Sequence, residues 1–375
     1  MRQVIIGNSA AGIGAIKAIR QIDSSCPITL VSAEKCNAYS PVLLTYYLKG
    51  TIPRESLFVV GSDFYKMNGI ATIFGSQATG IDPSRQIVYL ESGREVEYDN
   101  LLIATGASAV SLGSPMEGFA NALSLRTIQD ADKIANYTKT AKEVVIIGAG
   151  LVGLQIANAL LREGVKFTIL GSSRQIFSQD VDATCAAIIQ KEIESYGVSI
   201  LLGTNVAEMK RKGKKTIVVS DSSEELTADM VVIAKGVEPN IQLANNSGIE
   251  VDRGILVDEL MRTNVNNIFA AGDVAEAENL VTGRREVLPN WNNARRQGRI
   301  AGLNMAGCEQ RYEGGLRENI TTIFGLTFAT FGLSKSSNST GITELLFSDA
   351  ARKIYRGILL ADDRVVGATL LGSTR

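Results

Sequence analysis

Short apolar runs lead into longer stretches whose apolar residues recur at helical spacing, and this order appears twice along the chain. Residues 3–7, QVIIG, predict a buried strand of a parallel sheet, and AAGIGAIKAIRQI, residues 10–22, predicts the helix after it. PITLVSAE then supplies a second strand that ends at Glu34. From residue 143 onward, EVVIIGAGLVGLQIANALLREGVKFTIL repeats the unit of strand, glycine turn, helix and strand. From about Tyr312 the pattern changes, and ITTIFGLTFATFG, KIYRGILLA and RVVGATLLG read as strands of a smaller β-rich segment.

The turns inside the two repeats carry the chemistry. Gly7-Asn8-Ser9-Ala10-Ala11-Gly12 follows a GxGxxG frame with Ser9 at the middle glycine. Gly7 suits a tight strand-to-helix turn, Gly12 allows the helix to lie close to the sheet, and the free amides of the helix start suit a pyrophosphate. Glu34 lies about 20 residues further on, where an acid can accept the ribose hydroxyls. The second copy, Gly148-Ala149-Gly150-Leu151-Val152-Gly153, keeps all three glycines. Its second strand ends in Gly171-Ser172-Ser173-Arg174 instead of an acid. Ser172 and Arg174 could hold a 2′-phosphate, or Arg174 could be a solvated loop residue, while Gly153 favours NAD. The choice between NAD and NADP stays open.

Composition narrows the rest. A chain of 375 residues suits two or three domains, and 45% hydrophobic with 21% charged residues is ordinary for a globular protein. A net charge of −1 gives no electrostatic case for nucleic acid or for an anionic membrane surface. No apolar run approaches the roughly 20 residues that span a bilayer. The opening MRQVIIG is too short for a secretory signal, so a cytoplasmic setting is expected. The sequence contains no histidine, which excludes His-based acid–base catalysis and His metal ligands. Cys26, Cys36, Cys185 and Cys308 are scattered without a CxxC pair, so no local zinc or iron–sulfur site is encoded. The chemistry is therefore assigned to a cofactor. The basic run from Lys210 to Lys215 could dock an acidic electron-transfer protein but reads more simply as a solvated hairpin tip, and Ser334–Gly341 reads as a mobile loop.

Further segments add a family resemblance. They are Leu101-Leu102-Ile103-Ala104-Thr105-Gly106, Val232-Ile233-Ala234-Lys235-Gly236 with Pro239-Asn240, and Thr263 followed by Ile268-Phe269-Ala270-Ala271-Gly272-Asp273. Trp291, Ala294, Gln297 and Gly298 follow in a helical segment. Over essentially its whole length the chain resembles the FAD-dependent pyridine nucleotide–disulfide oxidoreductase superfamily. The resemblance implies an α/β fold with two Rossmann-like (three-layer ββα) nucleotide-binding domains, the NAD domain inserted in a split FAD domain. The FAD domain would be residues 1–108 and 238–309, the NAD(P) domain 109–237, and a small α+β C-terminal interface domain 310–375. It also implies that Gly7, Ser9, Ala11, Gly12, Glu34, Lys35, Pro41, Val42, Ala78, Ala104, Thr105, Gly106, Arg126, Gly272, Asp273, Trp291 and Ala294 hold FAD, with Asp273 on the ribityl chain. Gly148, Gly150, Leu151, Val152, Gly153, Ser172, Arg174, Ala234 and Gly236 would hold NAD(P)H. The helix from Trp291 would aim its N-terminus at the flavin pyrimidine ring.

The loop after Glu34 separates subgroups. Val42 falls where thiol-bearing members carry their single redox cysteine, and the paired cysteines of glutathione reductase-like members are absent as well. Tyr39-Ser40-Pro41-Val42-Leu43-Leu44 resembles the thiol-free subgroup of rubredoxin reductases, ferredoxin reductases and nitrite reductase N-terminal parts. That resemblance implies hydride exchange between NAD(P)H and FAD, and single electrons exchanged with an iron–sulfur protein, a rubredoxin or a metal-containing partner subunit, in either direction. An oxidase passing electrons to oxygen and a non-catalytic FAD-bearing subunit are the alternatives. Cys36 is read as structural, and Cys26, Cys185 and Cys308 as small buried hydrophobes. Relatives usually continue past a strand like LLGSTR into helices that help build a homodimer, whereas this sequence stops at Arg375, so either the natural protein is short or its C-terminus is truncated, and a homo-oligomer stays open.

Overall fold

The computed structural model describes residues 1–112, 118–334 and 341–372. The chain divides into two compact units. One comprises Met1–Val42, Glu55–Ser108 and Glu238–Leu316, and the other Leu43–Arg54, Ala109–Val237 and Arg317–Arg375.

The first unit is built on an all-parallel five-stranded sheet. Its strands run in the spatial order Ile268–Ala270, Asn100–Ile103, Gln3–Ile6, Ile28–Ser32 and Ile70–Phe74. Gln3–Ile6 is central, with Ile5 opposite both Leu30 and Leu102, and all of these are fully buried. Burial on both faces explains why these strands read as unbroken apolar runs. The helix Ala10–Ile22 buries Ile13, Ile16 and Ile19 against this core. Its other neighbour is the helix Trp291–Met305, and small residues set how closely the two approach. A Cβ on Gly298 would fall 2.0 Å from the Ala11 carbonyl oxygen, and one on Gly302 2.5 Å from that of Ala15. A three-stranded antiparallel sheet, Ala78–Asp82, Ile87–Leu90 and Glu95–Glu97, completes the segment before the crossover.

The second unit repeats the plan. Ser199–Leu202, Lys166–Gly171, Glu143–Ile147, Met230–Ile233 and Ala122–Ser124 form a parallel sheet in that order. The helices Leu151–Leu160 and Ala183–Ser195 pack into its core. The basic run lies at the turn between the antiparallel strands Val206–Lys212 and Lys215–Ser220, where Gly213 has φ +63°. Two of its charges are paired: Lys215 with Glu143 and Asp229, and Lys210 with Glu208 and Glu225.

The same unit carries a five-stranded antiparallel sheet in the order Glu318–Ile323, Leu326–Gly332, Arg364–Leu371, Ile354–Ala361 and Ile342–Asp349. ITTIFGLTFATFG is thus a hairpin of two strands, turned at Phe324 and Gly325 with φ +47° and +76°. Positive φ at both turn residues matches the right-handed twist of paired strands. The edge strand Ile342–Asp349 is an addition to the sequence reading. It is mostly exposed and lacks apolar–polar alternation, so no periodicity marks it. Residues 335–340 of the expected mobile loop, and the last residues to Arg375, lie outside the described residues. Among the described residues no helix is long and apolar enough to cross a membrane.

Candidate functional site

The first glycine turn is closed by backbone on both sides. Gly7 has φ +122°, and a Cβ there would fall 2.0 Å from the Ala104 carbonyl oxygen. A Cβ on Gly12 would fall 2.0 Å from the Gly7 carbonyl oxygen. These glycines are therefore required for the turn and for seating the helix against the strand. Ser9 heads the helix with extended backbone, and its hydroxyl makes no capping bond. The first helical hydrogen bond is Ile13 N–H to Ser9 C=O at 2.9 Å. The amides of Ala10, Ala11 and Gly12 are therefore left over for an anion.

The second turn has the same construction. Gly148 has φ +127° with a would-be Cβ 2.2 Å from the Ala234 carbonyl oxygen, and Gly153 would meet the Gly148 carbonyl oxygen at 2.0 Å. A Cβ on Gly150 would meet nothing within 4 Å, so its face of the turn is open. Gly150 caps the helix without a side chain, and Leu154 N–H to Gly150 C=O at 3.1 Å is its first bond. The amides of Leu151, Val152 and Gly153 are spare in the same way. By contrast Thr127, Asp182 and Asn290 each cap their helix with a side-chain oxygen that accepts the third amide. Among the described residues, the two long helices left without side-chain caps are the two that follow the glycine turns.

Around the first turn a polar frame fixes the loops. Asn8 donates to the Cys36 carbonyl at 3.1 Å, and Tyr65 donates to Asn8 Oδ1 at 2.8 Å while accepting the Ala38 amide at 3.0 Å. Burial holds the Tyr65 phenol above its ordinary pKa, so it stays a donor. Tyr39 donates to both carboxylate oxygens of Glu34, at 2.9 and 3.2 Å. The Lys35 stem lies against Gly75, whose added Cβ would fall 2.6 Å from Lys35 Cγ. Pro41 and Val42 lie on a single 3-10 turn, with Val42 56% exposed. Ala78 is buried at the start of its strand.

Ala11, Gly272 and Ala294 come together: a Cβ on Gly272 would stand 3.2 Å from that of Ala11 and 3.6 Å from that of Ala294. The Gly272 amide donates to buried Gln297 at 2.8 Å, and half-buried Asp273 follows it. Trp291 opens the adjacent helix, half-buried against the same core. Thr105 donates its hydroxyl to the Asn240 carbonyl at 2.9 Å, and the Asn240 amide group donates back to the Thr105 carbonyl at 2.9 Å. Gly106 accepts the Asn240 amide N–H at 2.9 Å, and Ser108 donates to Asn240 Oδ1 at 2.8 Å. Arg126 falls in the second unit, beside the capping box of Thr127 and Asp130. In the second unit Ser172 and Arg174 are exposed beyond the strand end, and Gly236, φ +96°, follows Ala234.

Asn8, Tyr65 and Ser108 escaped the sequence reading. Only Asn8, inside the glycine frame, carried a local signal; the others act through partners far away in sequence. Cys308 is exposed, not a buried hydrophobe as expected, because it follows the end of the helix Trp291–Met305. Cys26 and Cys185 are buried, and burial pushes the Cys185 thiol up to about 12.

The model of the pyridine nucleotide-disulphide oxidoreductase family matches residues 1–298. The chain is 31% identical to the NADH-dependent phenylglyoxylate dehydrogenase subunit epsilon of Aromatoleum evansii, over 98% of this chain and 87% of that protein. It is 30% identical to the assimilatory nitrate reductase electron transfer subunit of Bacillus subtilis, matching along all of this chain but spanning only 48% of that relative. A chain in the crystal structure of the covalent putidaredoxin reductase–putidaredoxin complex superposes with a TM-score of 0.91 at 26% identity, covering 99% of this chain and 89% of that one. Members of the family use FAD and NAD(P)H. With paired glycine turns, parallel sheets and a family match over most of its length, the chain belongs to the pyridine nucleotide-disulphide oxidoreductase family.

Proposed function

We propose that this chain is a flavoprotein that passes electrons between a pyridine nucleotide and a one-electron acceptor, an iron–sulfur protein, a rubredoxin or a partner subunit. One observation carries the reading: two glycine-closed turns of the same build, each with three spare helix amides, in a chain with Val42 where thiol-bearing members place their cysteine. FAD and the nucleotide, when bound, supply hydride exchange on one side and one-electron exchange on the other.

The chain's own residues bind and orient. The amides of Ala10, Ala11 and Gly12 are suited to the FAD pyrophosphate, and those of Leu151, Val152 and Gly153 to the nucleotide pyrophosphate. Glu34, fixed by Tyr39, is placed to accept ribose hydroxyls. Asp273 follows the tightly packed Gly272 turn and is assigned to the ribityl chain. On this reading residues 1–108 and 238–309 form the FAD domain, 109–237 the nucleotide domain and 310–375 the C-terminal domain, and the protein works in the cytoplasm.

The relatives named for electron transfer and for a dehydrogenase subunit, and the reductase solved with putidaredoxin, support a macromolecular partner. The test is anaerobic: NADH or NADPH is added to the purified yellow protein, and a one-electron acceptor or air is then admitted. Bleaching followed by rapid recovery with the acceptor, and slow recovery in air, supports the reading. Unbleached flavin, or recovery as fast in air as with the acceptor, overturns it.

A further inference from the structure

The two nucleotide turns differ at the end of the strand that follows each helix. In the first unit the chain reaches Glu34 two residues past the strand Ile28–Ser32. In the second the strand itself ends on Gly171, and a Cβ there would fall 2.8 Å from Leu202 Cδ2 and 2.9 Å from Ala149 Cβ. Neighbouring side chains thus fill the space that an acidic side chain at this position would need. Beyond Gly171 the loop is held in place: Gly203 N–H donates to the Ser173 carbonyl and Thr204 N–H to the Gly171 carbonyl, each at 3.0 Å. Ser178 donates to the Ser173 hydroxyl at 3.0 Å. Ser172 and Arg174 are exposed, and Arg174 makes no hydrogen bond or ion pair among the described residues.

From this we infer that the second site takes the 2′-phosphorylated nucleotide, NADPH, with Arg174 and Ser172 as the residues that recognise the phosphate. The inference rests on the proposed function and deepens it. An acid at the strand end would accept the 2′-hydroxyl of NAD and repel a phosphate; Gly171 does neither. A guanidinium and a hydroxyl on a braced loop supply the charge and donor that a phosphate dianion binds. Gly153 does not argue the other way. Its missing side chain is dictated by the Gly148 carbonyl oxygen 2.0 Å away, a helix–strand packing demand remote from the ribose end.

The experiment is calorimetry on the FAD-saturated protein with adenosine 2′,5′-bisphosphate and with 5′-AMP, which differ only by the 2′-phosphate. Saturation with FAD blocks the first turn, and the readout needs no turnover, so it stands whether or not the flavin can be reduced. The bisphosphate is expected to bind at least about tenfold more tightly, the size of a charge-assisted hydrogen bond. R174A should bring the two affinities within about threefold of each other, and S172A should narrow the gap less. Equal affinities, or a preference for 5′-AMP, in the unaltered protein overturn the inference. A preference that survives in both variants overturns the assignment to these residues.

Discussion

The carbonyl oxygen of Ala104 occupies the space that a side chain on Gly7 would enter, 2.0 Å from the ideal Cβ position. Ala234 stands to Gly148 in the same way, at 2.2 Å. Both glycines also carry φ values above +120° that L-residues rarely adopt. Backbone strain of this kind costs about 1–3 kcal/mol, and the clash adds to it. G7A should therefore purify with little or no bound flavin, whereas G148A should keep its flavin and lose nucleotide binding. Flavin-to-protein absorbance ratios with nucleotide titrations separate the two. Equal flavin loss in both variants would show that the turns do not serve different ligands.

The phenol of Tyr65 links Asn8 of the glycine turn to the amide of Ala38 in the following loop. Y65F removes a donor from half-buried Asn8 and an acceptor from buried Ala38, at about 1–3 kcal/mol. FAD affinity should fall by about tenfold or more, read by titrating the deflavinated protein. Unchanged affinity would mean the frame does not shape the turn.

Asn240 binds Thr105, Gly106 and Ser108 through both its backbone and its side chain. N240A leaves the Thr105 carbonyl and the Ser108 hydroxyl without their side-chain partner, and should lower stability by about 1–2 kcal/mol. Urea unfolding followed by flavin release measures this. A midpoint equal to that of the unaltered protein contradicts the clamp.

Asp229 titrates below its ordinary value. Burial alone would raise it, but the amides of Lys142 and Glu143 and the ammonium of Lys215 together outweigh that effect. A carboxylate depressed in the folded state stabilises above its unfolded pKa, near 3.8, and loses that contribution as the pH falls through the folded value. D229N should therefore be less stable than the unaltered protein at neutral pH, by about 1–2 kcal/mol, with the difference shrinking below about pH 4. Thermal midpoints across that range check the sign. A difference that grows on acidification would contradict it.

Thiol chemistry gives a separate check. Cys308 is exposed, while Cys185 is buried with its thiol pushed up to about 12. Brief iodoacetamide treatment at neutral pH should label Cys308 and spare Cys185, leaving the rate of flavin reduction intact. Mass spectrometry of the digest and a stopped-flow trace read both. Loss of reduction on labelling would point to a sulfur relay.

The glycine spacings, the unbroken apolar strands and the helix from Ala10 to Ile22 were all visible locally, because each reflects a backbone or periodicity demand inside a short window. What escaped was long-range. Thr105 and Asn240 meet although they stand 135 positions apart, and nothing near either residue announces the other. Tyr65 reaches Asn8 in the same manner. The edge strand Ile342–Asp349 was missed because exposure removed the alternation that marks half-buried strands. Cys308 was misplaced because its residue type suggests burial, while its position just past a helix end gives exposure.

On the proposed function, two turns of one construction hold two different dinucleotides at once. Native mass spectrometry of the purified protein with added NADPH, under anaerobic conditions and with the oxidised nucleotide as control, measures this directly. One FAD and one pyridine nucleotide are expected on the same polypeptide, with the nucleotide lost in G148A and the FAD retained. A nucleotide that displaces FAD, or a second FAD in its place, would contradict it.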